Sequence, residues 1–106
     1  MTKKRYIKFS HPGKVLLREF LEPLGITAYK LAKDISVPRN RITEIINGKR
    51  DISAETALLL SRYLNTSAEV WLNLQAHYDY EMAKEDKTLA KKMNNIIPIH
   101  QQSALA

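Results

Sequence analysis

Residues 27–50 read TAYKLAKDISVPRNRITEIINGKR, a stretch that predicts two short helices joined by a tight turn. Leu31, Ala32 and Ile35 share one face of the first helix, because they follow the i, i+1, i+4 spacing of an amphipathic helix. Pro38 stands where the second helix would begin, since the missing N–H of proline would have no intrahelical partner in a first turn.

The second helix separates an apolar face from a polar one. Ile42, Ile45 and Ile46 fall together, and at about 100° per residue the opposite face carries polar side chains with hydrogen-bonding reach. These polar residues are Asn40, Thr43, Glu44 and Asn47. Gly48 follows as the expected left-handed residue after the helix.

This arrangement is typical of a helix-turn-helix, which needs a small residue at the helix crossing, a compact turn and apolar anchors on the second helix. Ala32 fits the crossing, and Ile42 and Ile45 fit the anchors. Ser36 holds the turn, where glycine is usual because it accepts a positive φ without penalty. Ser36 must therefore either adopt that conformation at some cost or turn the chain differently.

Length and composition limit the class of protein. The chain has 106 residues, 44% of them hydrophobic, which predicts one globular domain. It has no cysteine, and therefore no disulfide or thiolate metal site. The absence of a long apolar run or signal-peptide core predicts a cytoplasmic protein with no membrane partner. The net charge of +6 favours a polyanionic partner such as nucleic acid, although a basic surface that binds nothing is the alternative.

Capping signals divide the region around this motif into five helices. The first is expected to open at Pro12, with Ser10 or His11 as its cap. The second helix of the motif is expected to start at Pro38, and the other later helices after the caps Thr27, Ser53 and Ser67. The helix after Ser53 is expected to bury Ala57, Leu58, Leu60, Tyr63 and Leu64. No long strand is predicted, so the fold class is an all-α bundle.

The two ends of the chain have weaker patterns. Residues 1–10 are basic with interleaved apolar side chains, and could form a DNA-contacting arm, a short edge strand or a solvated tail. A brief helix is expected around residues 89–93. The segment Ile96–Ile99 could be a strand or a docking segment, and Pro98 would confine a strand to a sheet edge.

No catalytic or metal-binding pattern stands out. His11, His77 and His100 are far apart in sequence and lack the spacing of metal ligands. Gly13-Lys14 lacks the upstream glycine and the following hydroxyl of a phosphate-binding loop. Nothing marks a nucleophile elbow. We therefore expect a protein that is not an enzyme and that needs no cofactor or metal.

Three stretches resemble the HigA antitoxin family, within the wider Xre/Cro group of helix-turn-helix proteins: His11–Gly25, Val37–Arg50 and Thr66–Ala76. The resemblance covers most of residues 11–85 and implies a five-helix bundle of the lambda-repressor-like type there. Residues 86–106 match no pattern of this family and would form a C-terminal extension. The resemblance also implies a dimeric repressor that binds its own promoter. The partner it implies is a HigB-like toxin, a ribosome-dependent mRNA endonuclease that the antitoxin neutralises.

The second helix of the motif would enter the major groove of double-stranded DNA. The candidates for base edges are Arg39, Asn40, Thr43 and Glu44, because arginine can read guanine, asparagine adenine, and glutamate cytosine. Candidates for phosphate contacts, which position the protein without reading sequence, are Thr27, Lys30, Arg41, Asn47, Lys49 and Arg50.

The last long helix is the expected homodimer contact, because its apolar side exceeds what a small bundle must bury. The predicted interface residues are Trp71, Leu74, Tyr78 and Met82, with Ile96–Ile99 as the alternative. Two other functions stay open. One is a solitary repressor of the same fold without a toxin, and the other is a toxin-binding module that has lost DNA binding.

Overall fold

The computed structural model describes residues 10–101, and over that range the fold is built from six helices and contains no strand. Helix α1 covers residues 12–24 in three consecutive pieces, Pro12–Val15, Leu16–Leu21 and Glu22–Leu24. The others are α2 (Ala28–Asp34), α3 (Arg39–Ile46), α4 (Ala54–Leu64), α5 (Ala68–Lys84) and α6 (Lys87–Asn94). The arm predicted at residues 1–10 lies almost wholly outside the described residues. No helix in the described range is long and apolar enough to cross a membrane.

The helix starts agree with the capping signals. The hydroxyls of three predicted caps each accept the N–H three residues on, and these caps are Thr27, Ser53 and Ser67. His11, rather than Ser10, caps α1, because its Nδ1 accepts the Gly13 N–H at 2.9 Å. Pro38 is the extended cap residue of α3, so that helix begins at Arg39, one residue later than predicted.

The middle of α1 is a π-helix, which the sequence pattern did not predict. Its wider turn is shown by the Glu22 N–H, which donates to the Leu17 carbonyl five residues back. Pro23 favours this widening, because its ring in a regular α-helix would clash with the carbonyl four residues earlier. The wider turn lets both Leu16 and Leu21 be buried.

The core lies where the inner faces of α1 to α5 meet. Its largest fully buried side chain is Trp71, whose indole N–H donates to the Thr66 hydroxyl at 2.8 Å. The Phe20 ring packs on the indole with centroids 5.3 Å apart. The prediction of Trp71 as a dimer contact is therefore wrong, because this side chain has no exposed surface. Leu58, predicted to be buried, is instead 61% exposed on the outer side of α4.

The chain after the core is exposed. The brief helix predicted around residues 89–93 is confirmed as α6, which Asp86 caps by accepting the N–H groups of Thr88 and Leu89. Residues 96–98 have no regular structure and residues 99–101 are helical, so of the two alternatives for Ile96–Ile99 the strand is wrong and the docking segment stays open. Every described residue from 84 onward is exposed.

Candidate nucleic-acid interface

Ser36 makes the turn between α2 and α3 in the left-handed conformation, at φ 60°. The Val37 N–H donates to the Ala32 carbonyl at 3.0 Å, and the Ser36 N–H donates to the Lys33 carbonyl at 3.2 Å. These are the two bonds of a Schellman motif, which satisfies the last carbonyls of α2. The serine thus accepts the positive φ, the first of the two possibilities in the sequence.

Helix α3 is held by its apolar side and exposes its polar side. Ile42 and Ile45 are fully buried, and they pack with Leu31, Ala32 and Ile35 in the core. On the other side, Arg39, Asn40 and Asn47 are exposed, whereas Thr43 and Glu44 are half-buried. The polar face predicted from the 3.6-residue period is therefore confirmed as the outer face of α3.

A close backbone contact fixes the rear of α3. A Cβ atom built at Gly13 of α1 would lie 1.7 Å from the Ile45 carbonyl oxygen and 3.0 Å from the Ile46 Cα. No other residue type fits there, because backbone atoms cannot move aside as a flexible side chain can. This contact therefore fixes the position of the end of α3 relative to the start of α1.

The candidate base-reading residues differ in their surroundings. The Arg39 guanidinium lies over the Tyr29 ring of α2, 5.5 Å from its centroid. Asn40 is exposed, and its backbone carbonyl accepts a hydrogen bond from the Thr43 hydroxyl at 3.1 Å. This bond directs the Thr43 hydroxyl toward the helix backbone.

Glu44 and Arg50 form an ion pair across the end of α3. The Arg50 Nε donates to the Glu44 Oε1 at 2.8 Å, and both side chains are partly exposed. The sequence assigned these residues separately, one to a base edge and the other to a phosphate. In this structure they are partners, so a contact of either residue with DNA competes with this pair or has to be made by the donors and the oxygen that the pair leaves free.

The remaining phosphate candidates flank α3. The Thr27 hydroxyl is already used as the cap of α2, and Lys30 pairs with Asp34 at 3.0 Å. Arg41, which is half-buried, lies 3.7 Å from the Glu55 carboxylate. Asn47 and Lys49 are exposed at the end of α3. All six candidates thus lie at the cap of α2, on α2, on α3 or in the loop that follows α3.

A charged cluster on the outer side of α2 joins Lys30, Asp34 and Tyr63. The Tyr63 hydroxyl donates to the Asp34 carboxylate at 2.5 Å, and this bond, with the one from Lys30, holds the pKa of Asp34 below its usual value. In turn, the hydrogen bond to Asp34 raises the pKa of Lys30 and that of Tyr63. A groove of about 460 Å³ lies beside this cluster, between the turn after α2 and α4.

His11 joins the start of α1 to the end of α3 and to α5. Its ring is buried and meets the Tyr78 ring edge-on, with the ring centroids 5.0 Å apart. Gly48 is also close, because a Cβ atom built there would lie 3.8 Å from the His11 Cβ. Because Nδ1 accepts the Gly13 N–H, the proton of the neutral ring is on Nε2, which faces Asp51 at 3.6 Å. That distance is too long for a hydrogen bond. Burial lowers the pKa of His11 from 6.5, and the charge of Asp51 only partly opposes this shift.

The predicted interface residues on α5 do not share one environment. Trp71 is buried, Leu74 and Tyr78 are half-buried, and Met82 is 47% exposed. The alternative segment is more exposed, with Ile96 at 67%, Ile97 at 48% and Ile99 at 67%. This leaves Met82 and the Ile96–Ile99 segment as the most accessible apolar groups among the predicted contacts.

Sequence reasoning missed Tyr29 and Gln75, and it gave His11 only as a possible cap of the first helix. Tyr29 lies off the apolar face of α2, and its contact with Arg39 of the next helix follows from the packing of the two helices. Gln75 is buried in α5, where its Oε1 accepts the Ile52 N–H at 2.8 Å and its amide donates to Asp79 at 3.0 Å. It thereby fixes the loop after α3, a contact between residues 23 positions apart that no local pattern predicts.

No group of histidine, cysteine, aspartate or glutamate side chains within residues 10–101 could hold a metal ion. The described surface instead offers an outward polar helix, flanked by lysine and arginine side chains. Such a helix can make hydrogen bonds to base edges while its flanks contact phosphates.

Comparison with known proteins points the same way. A helix-turn-helix family model matches residues 17–71. Virulence-associated protein I of Dichelobacter nodosus is 46% identical over 84% of this chain and 80% of its own length. Antitoxin HigA-1 of Vibrio cholerae is 40% identical over 74% of this chain and 70% of its own length.

A solved structure resembles the fold described above. The Pseudomonas aeruginosa antitoxin HigA with the higBA promoter matches at a TM-score of 0.79 and 35% sequence identity. The match covers 85% of this chain and 97% of that chain. The two proteins are therefore similar in sequence as well as in fold.

Proposed function

The chain belongs to the helix-turn-helix family and is a homologue of the HigA antitoxins, and from this premise we propose that it represses its own promoter and neutralises a toxin. The observation that carries the DNA-binding half is the outward polar face of α3, fixed from behind by the contact between Gly13 and Ile45. A recognition helix needs such a rigid support, because each base contact depends on the helix keeping one position in the groove.

Within this proposal, α3 lies in the major groove and four of its residues read bases. Arg39 donates to guanine, Asn40 pairs with adenine, and the Thr43 methyl contacts thymine. Glu44 accepts from cytosine once its pair with Arg50 opens. Phosphate contacts come from the flanking residues Thr27, Lys30, Arg41, Asn47, Lys49 and Arg50.

The repressor acts as a homodimer in this proposal. A single recognition helix reaches few base pairs, so a specific site requires two helices about 34–36 Å apart, related by a two-fold axis. The accessible end of α5 around Met82 supports one interface, together with Leu74 and Tyr78. The exposed Ile96–Ile99 segment supports the other.

The toxin-binding half rests on the homology to antitoxins. The toxin must bind while α3 occupies DNA, so its site lies away from the Asn40–Asn47 face. A toxin that acts on mRNA is expected to be basic, which favours acidic partner groups. Glu19 and Glu22 are exposed on α1, and Glu85 is exposed after α5. Asp86 is exposed too, but its carboxylate already caps α6.

Two measurements test the proposal. Fluorescence anisotropy should show tighter binding to a fragment of the chain's own promoter than to a shuffled fragment of equal length. Co-expression with the adjacent open reading frame should rescue growth from a toxic product. If the neighbouring product is harmless while promoter binding holds, the chain is a solitary repressor. If growth is rescued but no promoter preference is found, it is a toxin-binding module.

A further inference from the structure

An exposed aromatic ring lies beside the first residue of the recognition helix. Tyr29, in the first turn of α2, is 56% exposed. The Arg39 guanidinium lies over this ring at 5.5 Å from the centroid, within the range of a cation–π contact. The two residues belong to different helices, so the contact crosses the turn of the motif.

We propose that Tyr29 is a positioning residue for DNA reading, because its ring holds the Arg39 guanidinium in place before DNA arrives. This inference rests on the proposed function. An exposed arginine has many rotamers and loses that freedom when it binds a base. A contact that already restricts the side chain reduces this loss, so the bound complex gains affinity for the base that Arg39 reads.

The contact between Arg39 and Tyr29 suits the reading of a base better than an ion pair with a carboxylate would. A cation–π contact uses the ring face as its partner and occupies none of the guanidinium N–H groups with an acceptor, so these groups stay available to a base. The other arginines around α3 differ, because Arg41 and Arg50 face the carboxylates of Glu55 and Glu44. Arg39 has no such ion pair within the described part of the chain. Its N–H groups are therefore not engaged by a carboxylate.

The tyrosine hydroxyl could alternatively donate to a DNA phosphate. That role would act on every DNA sequence alike, since phosphates carry no sequence information. It would also be lost in Tyr29→Phe, which keeps the ring, and the two roles are therefore separable by a matched pair of variants. Tyr29→Leu keeps an apolar side chain at the same position but removes the aromatic face.

The experiment measures binding of wild type, Tyr29→Phe and Tyr29→Leu to the promoter fragment and to shuffled DNA by fluorescence anisotropy. We expect Tyr29→Phe to bind the promoter within about twofold of wild type, and Tyr29→Leu to bind it roughly twofold to fivefold more weakly. Binding to shuffled DNA should be equal for all three proteins. Circular dichroism verifies that each variant is folded, as expected for a half-exposed position.

A double-mutant cycle identifies Arg39 as the residue through which Tyr29 acts. In an Arg39→Ala background, Tyr29→Leu should cause no further loss of promoter affinity. Without DNA, proton NMR should show an upfield ring-current shift of the Arg39 side-chain protons in wild type that disappears in Tyr29→Leu. Additive losses, equal losses in Tyr29→Phe, or tighter promoter binding by Tyr29→Leu would overturn the inference while leaving the repressor proposal intact. If wild type shows no promoter preference, the repressor proposal fails and this inference fails with it.

Discussion

Gly13 and Ile45 meet backbone to backbone, so close that a Cβ atom on Gly13 would lie 1.7 Å from the Ile45 carbonyl oxygen. This contact joins the first turn of α1 to the last turn of α3. The recognition helix is therefore positioned by main-chain atoms as well as by its buried isoleucines.

Gly13→Ala is expected to destabilise the fold by about 1–3 kcal/mol or more, because the added methyl group can fit only if one helix shifts. Urea unfolding followed by circular dichroism measures the change. Gly25→Ala is the control, since Gly25 has a left-handed φ of 67° but no atom within 4 Å of its Cβ position. The control should lose only about 1–2 kcal/mol, the cost of the left-handed conformation. Equal stability of Gly13→Ala and wild type would contradict the close contact.

Stability should fall as the pH drops below about 6.5, because burial lowers the pKa of His11 in the folded chain. Below 6.5 the unfolded chain binds a proton that the folded chain resists, so the free energy of unfolding decreases toward the folded pKa and levels off beneath it. Of the charges around the ring, Asp51 and Asp79 oppose the shift and Lys14 adds to it.

Replacing His11 by asparagine separates the titration from the capping role. His11→Asn retains an acceptor for the Gly13 N–H and should remove this part of the pH dependence. Exposed His100 provides the control, because His100→Asn should leave the curve unchanged. Urea unfolding at several pH values measures both. If the stability of His11→Asn still falls below pH 6.5 as that of wild type does, the loss of stability comes from the titration of another group.

Base and phosphate contacts should respond differently to substitution. Asn40→Ala or Arg39→Ala should cost about 1–3 kcal/mol on the promoter and far less on shuffled DNA. Lys49→Ala should weaken both by similar amounts and reduce the salt slope by about one. Anisotropy titrations at several salt concentrations measure these effects. Equal losses on both DNAs for all three variants would show that the reading residues are assigned wrongly.

The dimer interface can be located with single charges on exposed apolar residues. The sequence suggests Tyr78→Asp, but the Tyr78 ring packs on His11, so this variant would also disturb the start of α1. Met82→Asp is cleaner, because Met82 is 47% exposed. If α5 forms the interface, Met82→Asp should be monomeric by light scattering and lose promoter binding. If Ile97→Asp is monomeric and Met82→Asp stays dimeric, the interface lies at Ile96–Ile99 instead.

Toxin neutralisation should survive the loss of DNA reading. Arg39→Ala combined with Asn40→Ala should abolish promoter preference yet still rescue growth when co-expressed with a toxic neighbour. The reason is that a toxin site must stay accessible while α3 occupies the groove. Failure of this folded double variant to rescue growth would show that the two surfaces overlap.

The sequence by itself determined the helices and the outer face of α3. Cap residues such as Thr27 and Ser67 act on N–H groups three positions away, and the separation of Ile42 and Ile45 from Asn40 follows from the helical period alone. These are local effects, and they are read directly from the order of residues. The same reasoning placed a short helix near residue 89, which the structure contains as α6.

Tertiary structure alone decided the rest, because those features depend on which residues meet across helices. The π-helical turn of α1, the burial of Trp71 and the exposure of Leu58 all depend on how the helices pack. The pairing of Glu44 with Arg50 and the cation–π contact of Arg39 with Tyr29 join residues on different segments. A sequence pattern shows which face of a helix is apolar, but only packing determines which partner covers it and how each polar side chain is held.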